Sequence, residues 1–270
     1  LRLRQLSSSG GDLAARFCLL NPVVGREPVT ASSRMKGGSV TKILLEVAFG
    51  RAVSEAVQLP LLPPPDSPPP PPPPPPSSTR SAASSPMLKT PTEELLEAYE
   101  CAVRYTYLPA EPLARLVEAA GTALRAGGHL YYLAEGNAGY LGCMDASEMP
   151  DTYGCPFDEV RAFVEGGWEG VGNADGDLSA RGPLFRIALE HFSSDIVPHL
   201  DARDLVCVLA SERVSSAVSD AALAASGAGA KVVAALWSSG SGSGSTPDVA
   251  SVCPSLAAAC EATVAVHLPR

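Results

Sequence analysis

The distribution of apolar and polar positions divides the chain into three parts. Apolar residues recur every three or four positions over residues 40–57, which predicts one long helix. A proline-rich stretch follows, and from residue 93 onward short apolar runs alternate with helical patterns. The segment before the proline-rich stretch is therefore organised differently from the segment after it.

The part from residue 93 onward predicts an α/β fold. Its short, continuously apolar runs predict buried strands over residues 129–134, 160–164, 205–210, 231–237 and 262–268. Helical spacing predicts helices over residues 93–104, 112–126, 185–200 and 215–225, with one more directly after the first strand. Apolar strands that alternate with helices are typical of a buried, mainly parallel sheet. Right-handed crossovers would then give a three-layer α/β/α sandwich of the Rossmann-like kind.

The proline-rich stretch covers residues 59–92 and contains an unbroken run from Pro68 to Pro76. Such a segment has few amide donors and little to bury, so it predicts a polyproline II or disordered linker. A ligand for SH3 or WW domains is the alternative, although no Arg or Lys pattern flanks the run closely. Residues 238–245 alternate Ser and Gly and predict a flexible loop.

Charge and composition exclude several classes of function. The chain has 270 residues and a formal net charge of −9, which opposes binding to nucleic acid through bulk charge. It has no apolar run long enough for a membrane span and no signal-peptide pattern, so no membrane partner is predicted and a cytoplasmic or nuclear location is expected. The seven cysteines never form a CxxC pair and the four histidines lack metal-pair spacing. Neither a metal nor a cofactor is predicted.

Four strings of residues carry a resemblance to a known family: PVTASSRMKGGSVTKILLE (residues 28–46), AGGHLYYLAEGNAGYLGCMDASEMPDTYG (126–154), VRAFVEGG (160–167) and ARGPLF (180–185). They resemble sugar isomerase (SIS) domains of the N-acetylmuramic acid 6-phosphate etherase and glucokinase regulatory protein family. The first string resembles the segment that closes such a domain, and the second resembles the segment that opens one. The last two are similar to the second SIS domain of the regulatory branch.

The resemblance implies a particular domain organisation. Residues 1–58 would be the C-terminal tail of a first SIS domain, and residues 59–92 would be a linker. Residues 93–270 would form a second SIS domain that lacks its closing helix. We also expect SIS domains to pair with each other, as a further contact of this fold.

In SIS domains the turn after the first strand binds a sugar phosphate, because free amides at a helix N-terminus attract an anion. By resemblance this turn is Gly136, Asn137, Ala138 and Gly139, where the etherase pattern has Gly-Thr-Ser-Gly, so both hydroxyl donors are missing. The preceding Glu135 adds a carboxylate. The turn is therefore either a degenerate phosphate site or a purely structural turn.

The second phosphate loop of the family follows a later strand and usually has the sequence Ser-Gly-Arg-Thr-Pro. Here it aligns with residues 212–216, where Glu212 and Arg213 replace the Ser and the Gly. Ser211, at the end of the predicted strand, is the remaining candidate ligand. A carboxylate facing a phosphate is repulsive, so the two altered loops argue together for a degenerate site.

Other candidate residues follow from the resemblance alone. Glu148 falls where the etherases have a catalytic glutamate, which removes or donates a proton during elimination of the lactyl ether. The second glutamate of that mechanism has no counterpart in register, so Glu148 is a catalytic acid, a sugar-contacting acceptor or a solvated helix residue. Ser32, Ser33 and Lys36 either cap a helix or supply hydroxyls and positive charge to the sugar-phosphate site of the first domain.

Three functions follow as hypotheses. The first is a regulatory protein that binds a sugar phosphate such as fructose 6-phosphate and inhibits a glucokinase or hexokinase partner, with the second SIS domain mainly a scaffold. The second is an etherase-like lyase acting on amino-sugar 6-phosphates. The third is a truncated product with no function of its own, because a sheet without its closing helix is only marginally stable.

Overall fold

The computed structural model describes residues 36–58, 91–211, 213–239 and 249–268. The chain divides into two compact units, Leu1–Glu97 and Ala98–Arg270. In the first unit, helix α1 (Lys36–Gln58) confirms the predicted long helix and begins one turn before it. The residues of the proline-rich linker up to position 90, and residues 240–245 of the predicted Ser/Gly loop, lie outside the described part of the chain.

The described helices and strands of the remaining chain agree closely with the apolar pattern. Helix α2 (Pro91–Thr106) begins with a proline, which suits a first helical position because its missing amide would have no partner there. The helices that follow are α3 (Ala110–Arg125), α4 (Gly136–Tyr153) and α5 (Ser216–Gly227). The strands are β1 (Leu130–Ala134), β2 (Val160–Val164), β3 (Leu205–Ala210), β4 (Lys231–Ser239) and β5 (Cys260–Leu268).

The five strands form one sheet in the order β2-β1-β3-β4-β5, and every neighbouring pair is parallel. The chain moves from β1 outward to β2 and then returns to the other side of β1 to form β3. The order therefore reverses between β1 and β3, which is where open α/β sheets bind their ligands.

Two apolar layers cover the sheet, which confirms the α/β/α sandwich. On one face, strand residues such as Leu205 and Val233 pack with residues of α3 and α4. On the other face, Leu133 and Val208 pack with α5 and with the short helical turns Leu189–His191 and Pro254–Ala257. Adjacent residues of one strand point to opposite faces, so a parallel strand that is covered on both sides must be apolar throughout.

The helix predicted over residues 185–200 is wrong as one element. Residues 186–188 are extended and lie beside the end of β2. There the backbone N–H of Val164 donates to the carbonyl of Ile187 at 2.6 Å, and Val164 forms a parallel bridge with Ala188. Arg161 holds this segment by donating to the carbonyls of Pro183 and Arg186, at 2.8 and 3.0 Å. The helical part that follows is short and irregular: Leu189–His191, a wider turn over Phe192–Ile196 and a tight turn over Val197–His199. Pro198 has no amide to continue a regular helix.

Candidate functional site

A cavity of about 420 Å³ opens at the carboxyl ends of β1, β3 and β4. It lies where the strand order reverses, so the loops after β1 and β3 diverge and leave a space between them. Its volume lies within the usual range for small-molecule sites. The following residues line it: Glu135, Gly136, Asn137, Ala138, Ala210, Ser211, Arg213 and Trp237.

Two glycines shape the turn that leads from β1 into α4. Gly136 is the first residue of α4 and has a φ of 50°, a conformation that side chains with a Cβ rarely adopt. Gly139 lies one turn later, where a Cβ would collide with the side chain of Val164 on β2. Gly136 therefore permits the sharp turn, and Gly139 lets α4 approach the sheet closely.

Glu135 occupies the N-cap position of α4 in an extended conformation, and its side chain does not cap that helix. Its carboxylate instead lines the cavity, together with the side chain of Arg213 from the loop after β3. Burial and the neighbouring Glu165 raise the pKa of Glu135, while Arg213 and the Ser215 amide act in the opposite direction.

Ser215 begins a second helix in the loop after β3. It is the N-cap of α5, and its Oγ accepts from Val218 N at 3.3 Å. The N-termini of α4 and α5 each carry partial positive charge from their free amides. Arg213, two residues before Ser215, adds a full positive charge to the lining of the cavity.

The predicted site residues fall into three groups. Gly136, Asn137, Ala138 and Ser211 line the cavity. Gly139 is buried in the turn and packs toward β2 without lining the cavity, and Glu148 lies exposed three turns along α4. The third group consists of residues that do not belong to the cavity lining. Lys36 is the first residue of α1, and Ser32, Ser33 and Glu212 lie outside the described residues.

Sequence reasoning did not identify Trp237 as part of the site. It lies near the end of β4 and lines the cavity. Parallel strands end at one edge of the sheet, so the last residue of each apolar run was the available signal.

Behind the cavity, a hydrogen bond links α4 to β1. The hydroxyl of Tyr132 donates to Asp145 Oδ2 at 2.7 Å. Burial and the nearby carboxylate raise the pKa of Tyr132, so the phenol remains a donor. This bond fixes the rotation of α4 about its axis and with it the position of the turn at Gly136.

Two structural findings concern other kinds of site. Within residues 36–58, 91–211, 213–239 and 249–268, no group of three or more His, Cys, Asp or Glu side chains is arranged to hold a metal. In the same ranges, no helix combines the length and the apolar character needed to cross a membrane.

Comparison with known proteins gives the family of the chain. The family model "Glucokinase regulatory protein, second SIS domain" matches residues 107–242, which include β1 to β4 and the cavity. The glucokinase regulatory protein of Xenopus laevis is 35% identical over 191 residues, covering 71% of this chain and 27% of that protein. The protein of the same name from Homo sapiens is 32% identical over 194 residues, covering 70% and 26%. The chain thus spans about a quarter of the length of these relatives.

A bacterial enzyme and a solved structure give shorter or weaker likenesses. N-acetylmuramic acid 6-phosphate etherase of Symbiobacterium thermophilum is 49% identical over 59 residues, which cover 22% of this chain and 20% of the enzyme. The structure of phosphoheptose isomerase from Neisseria gonorrhoeae aligns with 66% of this chain and 84% of its own, with a TM-score of 0.38 and 18% identity. The parallel sheet with two helical layers and the family match over its centre agree with each other: the chain belongs to the glucokinase regulatory protein family and contains a second SIS domain of that family.

Proposed function

We propose that this chain is part of a sugar-phosphate-responsive regulatory protein that inhibits a glucokinase or related hexokinase. The observation that carries the proposal is the family match over residues 107–242, because it covers the whole strand-order reversal at which a ligand would bind. The relatives that match over most of this chain are glucokinase regulatory proteins. A fructose phosphate such as fructose 6-phosphate is the proposed signal.

In this proposal the second SIS domain is mainly a scaffold and interaction surface. Its cavity lies at the strand-order reversal, and Glu135 places a carboxylate in the lining of that cavity. Neither turn hydroxyl of the etherase pattern is present, since Asn137 and Ala138 stand in those positions. A phosphate entering this cavity would meet both a like charge and fewer donors.

Sensing would then depend on the first SIS domain. Residues 1–58 are proposed to be the tail of that domain, joined through the linker at residues 59–92, with Ser32, Ser33 and Lys36 contributing to its sugar-phosphate site. The similarity of residues 28–46 to the closing segment of a SIS domain supports this assignment. The start of α1 at Lys36 also suits it, because the charged residue then stands at a helix N-terminus.

Direct binding of purified glucokinase to the immobilised chain tests the partner. We expect saturable binding by the 270-residue chain and by a form that lacks residues 1–90, because the proposed interaction surface lies on the second SIS domain. A folded chain that binds neither glucokinase nor another hexokinase would contradict the proposal. Binding by the full chain alone would move the interaction surface to the first unit.

An etherase-like lyase is the second candidate, favoured by the 49% identity over 59 residues with a bacterial etherase. In that case Glu148 would act as the catalytic acid or base. Release of lactate from N-acetylmuramic acid 6-phosphate by the wild-type chain, abolished in Glu148→Gln, would support the lyase. No lactate from a folded wild-type chain would remove it.

A further inference from the structure

The outer edge of β5 is open among the described residues. β5 is the last strand in the order of the sheet, and it pairs with β4 from Cys260 to Leu268. Within the part of the chain that the structure describes, no strand lies on its other side. An edge strand presents a row of backbone N–H and C=O groups that another extended strand can bind. The chemistry of this edge therefore specifies its occupant as a second backbone in the extended conformation.

The opposite edge of the sheet is protected. β2 has five residues, all of them buried, and Val164 at its end is bridged to Ala188. Arg161 fastens the covering segment through hydrogen bonds to the carbonyls of Pro183 and Arg186. Among the described residues, the sheet is therefore open to a further strand on the β5 side alone.

β5 lacks the residues with which proteins commonly block an edge strand. Its sequence, CEATVAVHL, contains no Pro, Lys or Arg. A register shift between Val232 and Val233 leaves Glu261 as the extra residue of a bulge at the start of the strand. The residues that follow, ATVAV, are small or β-branched, and Thr and Val favour strands. Residues 262–266 thus form an uncharged edge that can pair without obstruction.

The sequence of this edge is compatible with pairing to a second copy of itself. A two-fold axis at Val264 would place two β5 strands antiparallel, with Thr263 opposite Ala265 of the other copy. The side chains that meet are then small or β-branched, which suits the narrow spacing of antiparallel neighbours. Glu261 would lie opposite position 267, so the two copies of this carboxylate would be about 20 Å apart along the ladder. The pairing therefore brings no like charges together within the strands.

We propose that β5 is a self-association edge, through which two copies of this chain join antiparallel about a two-fold axis at Val264. The two sheets become one continuous sheet, and the covered β2 edges leave it closed at a dimer. This inference goes beyond the proposed function, because it concerns self-association rather than a sugar phosphate or a kinase. A contact of one strand with another is small, so we expect a dissociation constant between about 1 and 100 μM.

The test is sedimentation equilibrium of the full chain over a concentration range of about 1 to 500 μM. The wild type is expected to pass from monomer to dimer. A variant with both Thr263→Lys and Ala265→Lys places like charges opposite each other twice, and its dimer is expected to be at least about tenfold weaker. A variant with Thr263→Lys and Ala265→Glu places opposite charges in the same positions, so its dimer is expected to persist.

Two controls separate the edge from other causes. Tyr140→Lys combined with Ser147→Lys adds the same charge at exposed positions of α4, which packs against β1 and β2, and should leave the dimer unchanged. Hydrogen exchange of the wild type needs no variant, so it replaces the first comparison if the lysine variant does not fold. Exchange of amides in residues 262–266 is expected to slow as the protein concentration rises.

Each outcome supports or overturns the inference. A chain that stays monomeric over the whole range overturns it, and slow exchange at β5 in that monomer would show that another segment covers the edge. A dimer that the two lysines leave intact, or that the α4 control weakens equally, lies on another surface. Equal weakening by the Lys/Lys and Lys/Glu variants overturns the two-fold register, and association beyond the dimer overturns the closed pairing.

Discussion

At the scale of single residues, the turn after β1 depends on two glycines and carries the carboxylate of Glu135 beside them. The turn uses Gly136 for its positive φ and Gly139 for the close approach to Val164. In the proposed degenerate site, the glycines preserve the backbone geometry of the turn and Glu135 supplies the unfavourable charge. Geometry and chemistry can therefore be tested separately, through the glycines and through the glutamate.

The raised pKa of Glu135 predicts a dependence of stability on pH. A carboxyl whose pKa is higher in the folded chain binds its proton more tightly there, so ionising it costs stability. That cost is absent below the ordinary pKa of 4.5 and grows as the pH rises through the raised pKa. The melting temperature of Glu135→Gln relative to the wild type is therefore expected to increase between about pH 4 and about pH 7. A difference that stays constant or shrinks over this range would contradict the assigned direction.

The close contact at Gly139 predicts a local packing penalty. Gly139→Ala is expected to lower the free energy of unfolding by about 1 to 3 kcal/mol, because the new methyl group must push aside the fully buried Val164. Equilibrium unfolding in urea measures this change in the free energy of unfolding. Gly227→Ala is the matched control, since no atom lies within 4 Å of its added Cβ, and its stability should be unchanged or slightly higher. Equal effects at the two positions would argue against the close approach of α4 to β2.

At the scale of elements, the strands of the sheet could be predicted from the sequence, but the path of residues 185–200 after β2 could not. Residues 205–210 were predicted and observed as a strand because burial on both faces requires every position to be apolar. Both β4 and β5 are longer than the apolar runs that predicted them: β4 continues to Ser239, and β5 begins at Cys260. Backbone pairing between parallel strands does not require apolar side chains, and it includes Ser238 opposite His267. The segment over residues 185–200 has helical apolar spacing, but long-range hydrogen bonds from Arg161 determine its path, and a local pattern does not contain them.

The site could be predicted to a similar extent. The loops after β1 and β3 carry recognisable strings, so Gly136, Asn137, Ala138 and Ser211 were identified, and all four line the cavity. Trp237 was not, because its place at the cavity depends on β4 lying next to β3 in the sheet. Strand order, more than local sequence, decides which residues face a cavity at the edge of a parallel sheet.

The two hydrogen bonds that Arg161 donates predict a loss of stability, and faster hydrogen exchange over residues 183–188, when they are removed. Arg161 is 9% exposed, and its guanidinium lies 4.7 Å from the centre of the Phe163 ring. Arg161→Met keeps much of the apolar stem and loses both hydrogen bonds, so we expect a loss of about 2 kcal/mol in stability. Hydrogen exchange at residues 183–188 should also become faster. Arg181→Met, at an exposed arginine of the same segment, should leave both measurements unchanged. Unchanged exchange in Arg161→Met would contradict the role given to this side chain.

At the scale of the whole molecule, the second unit contains the sheet and the two apolar clusters of the described residues. Both apolar clusters lie within residues 116–262, and all five strands lie within residues 130–268. A chain without residues 1–90 is therefore expected to melt cooperatively, with a melting temperature within about 3 °C of the full chain. Scanning calorimetry of the two chains measures this. A truncated chain that lacks a cooperative transition would show that the first unit is needed for folding of the second.

The central proposal for the whole molecule is that this SIS domain keeps the fold of a sugar-phosphate site and no longer holds a sugar phosphate. The most direct measurement is a thermal-shift titration of the wild-type chain with fructose 1-phosphate, fructose 6-phosphate and N-acetylglucosamine 6-phosphate. A ligand that binds only the folded state raises the melting temperature by mass action. We predict a cooperative transition that none of the three ligands shifts. A saturable shift with any of them, lost in Glu148→Gln, would contradict the claim and show that the second domain keeps a working sugar site.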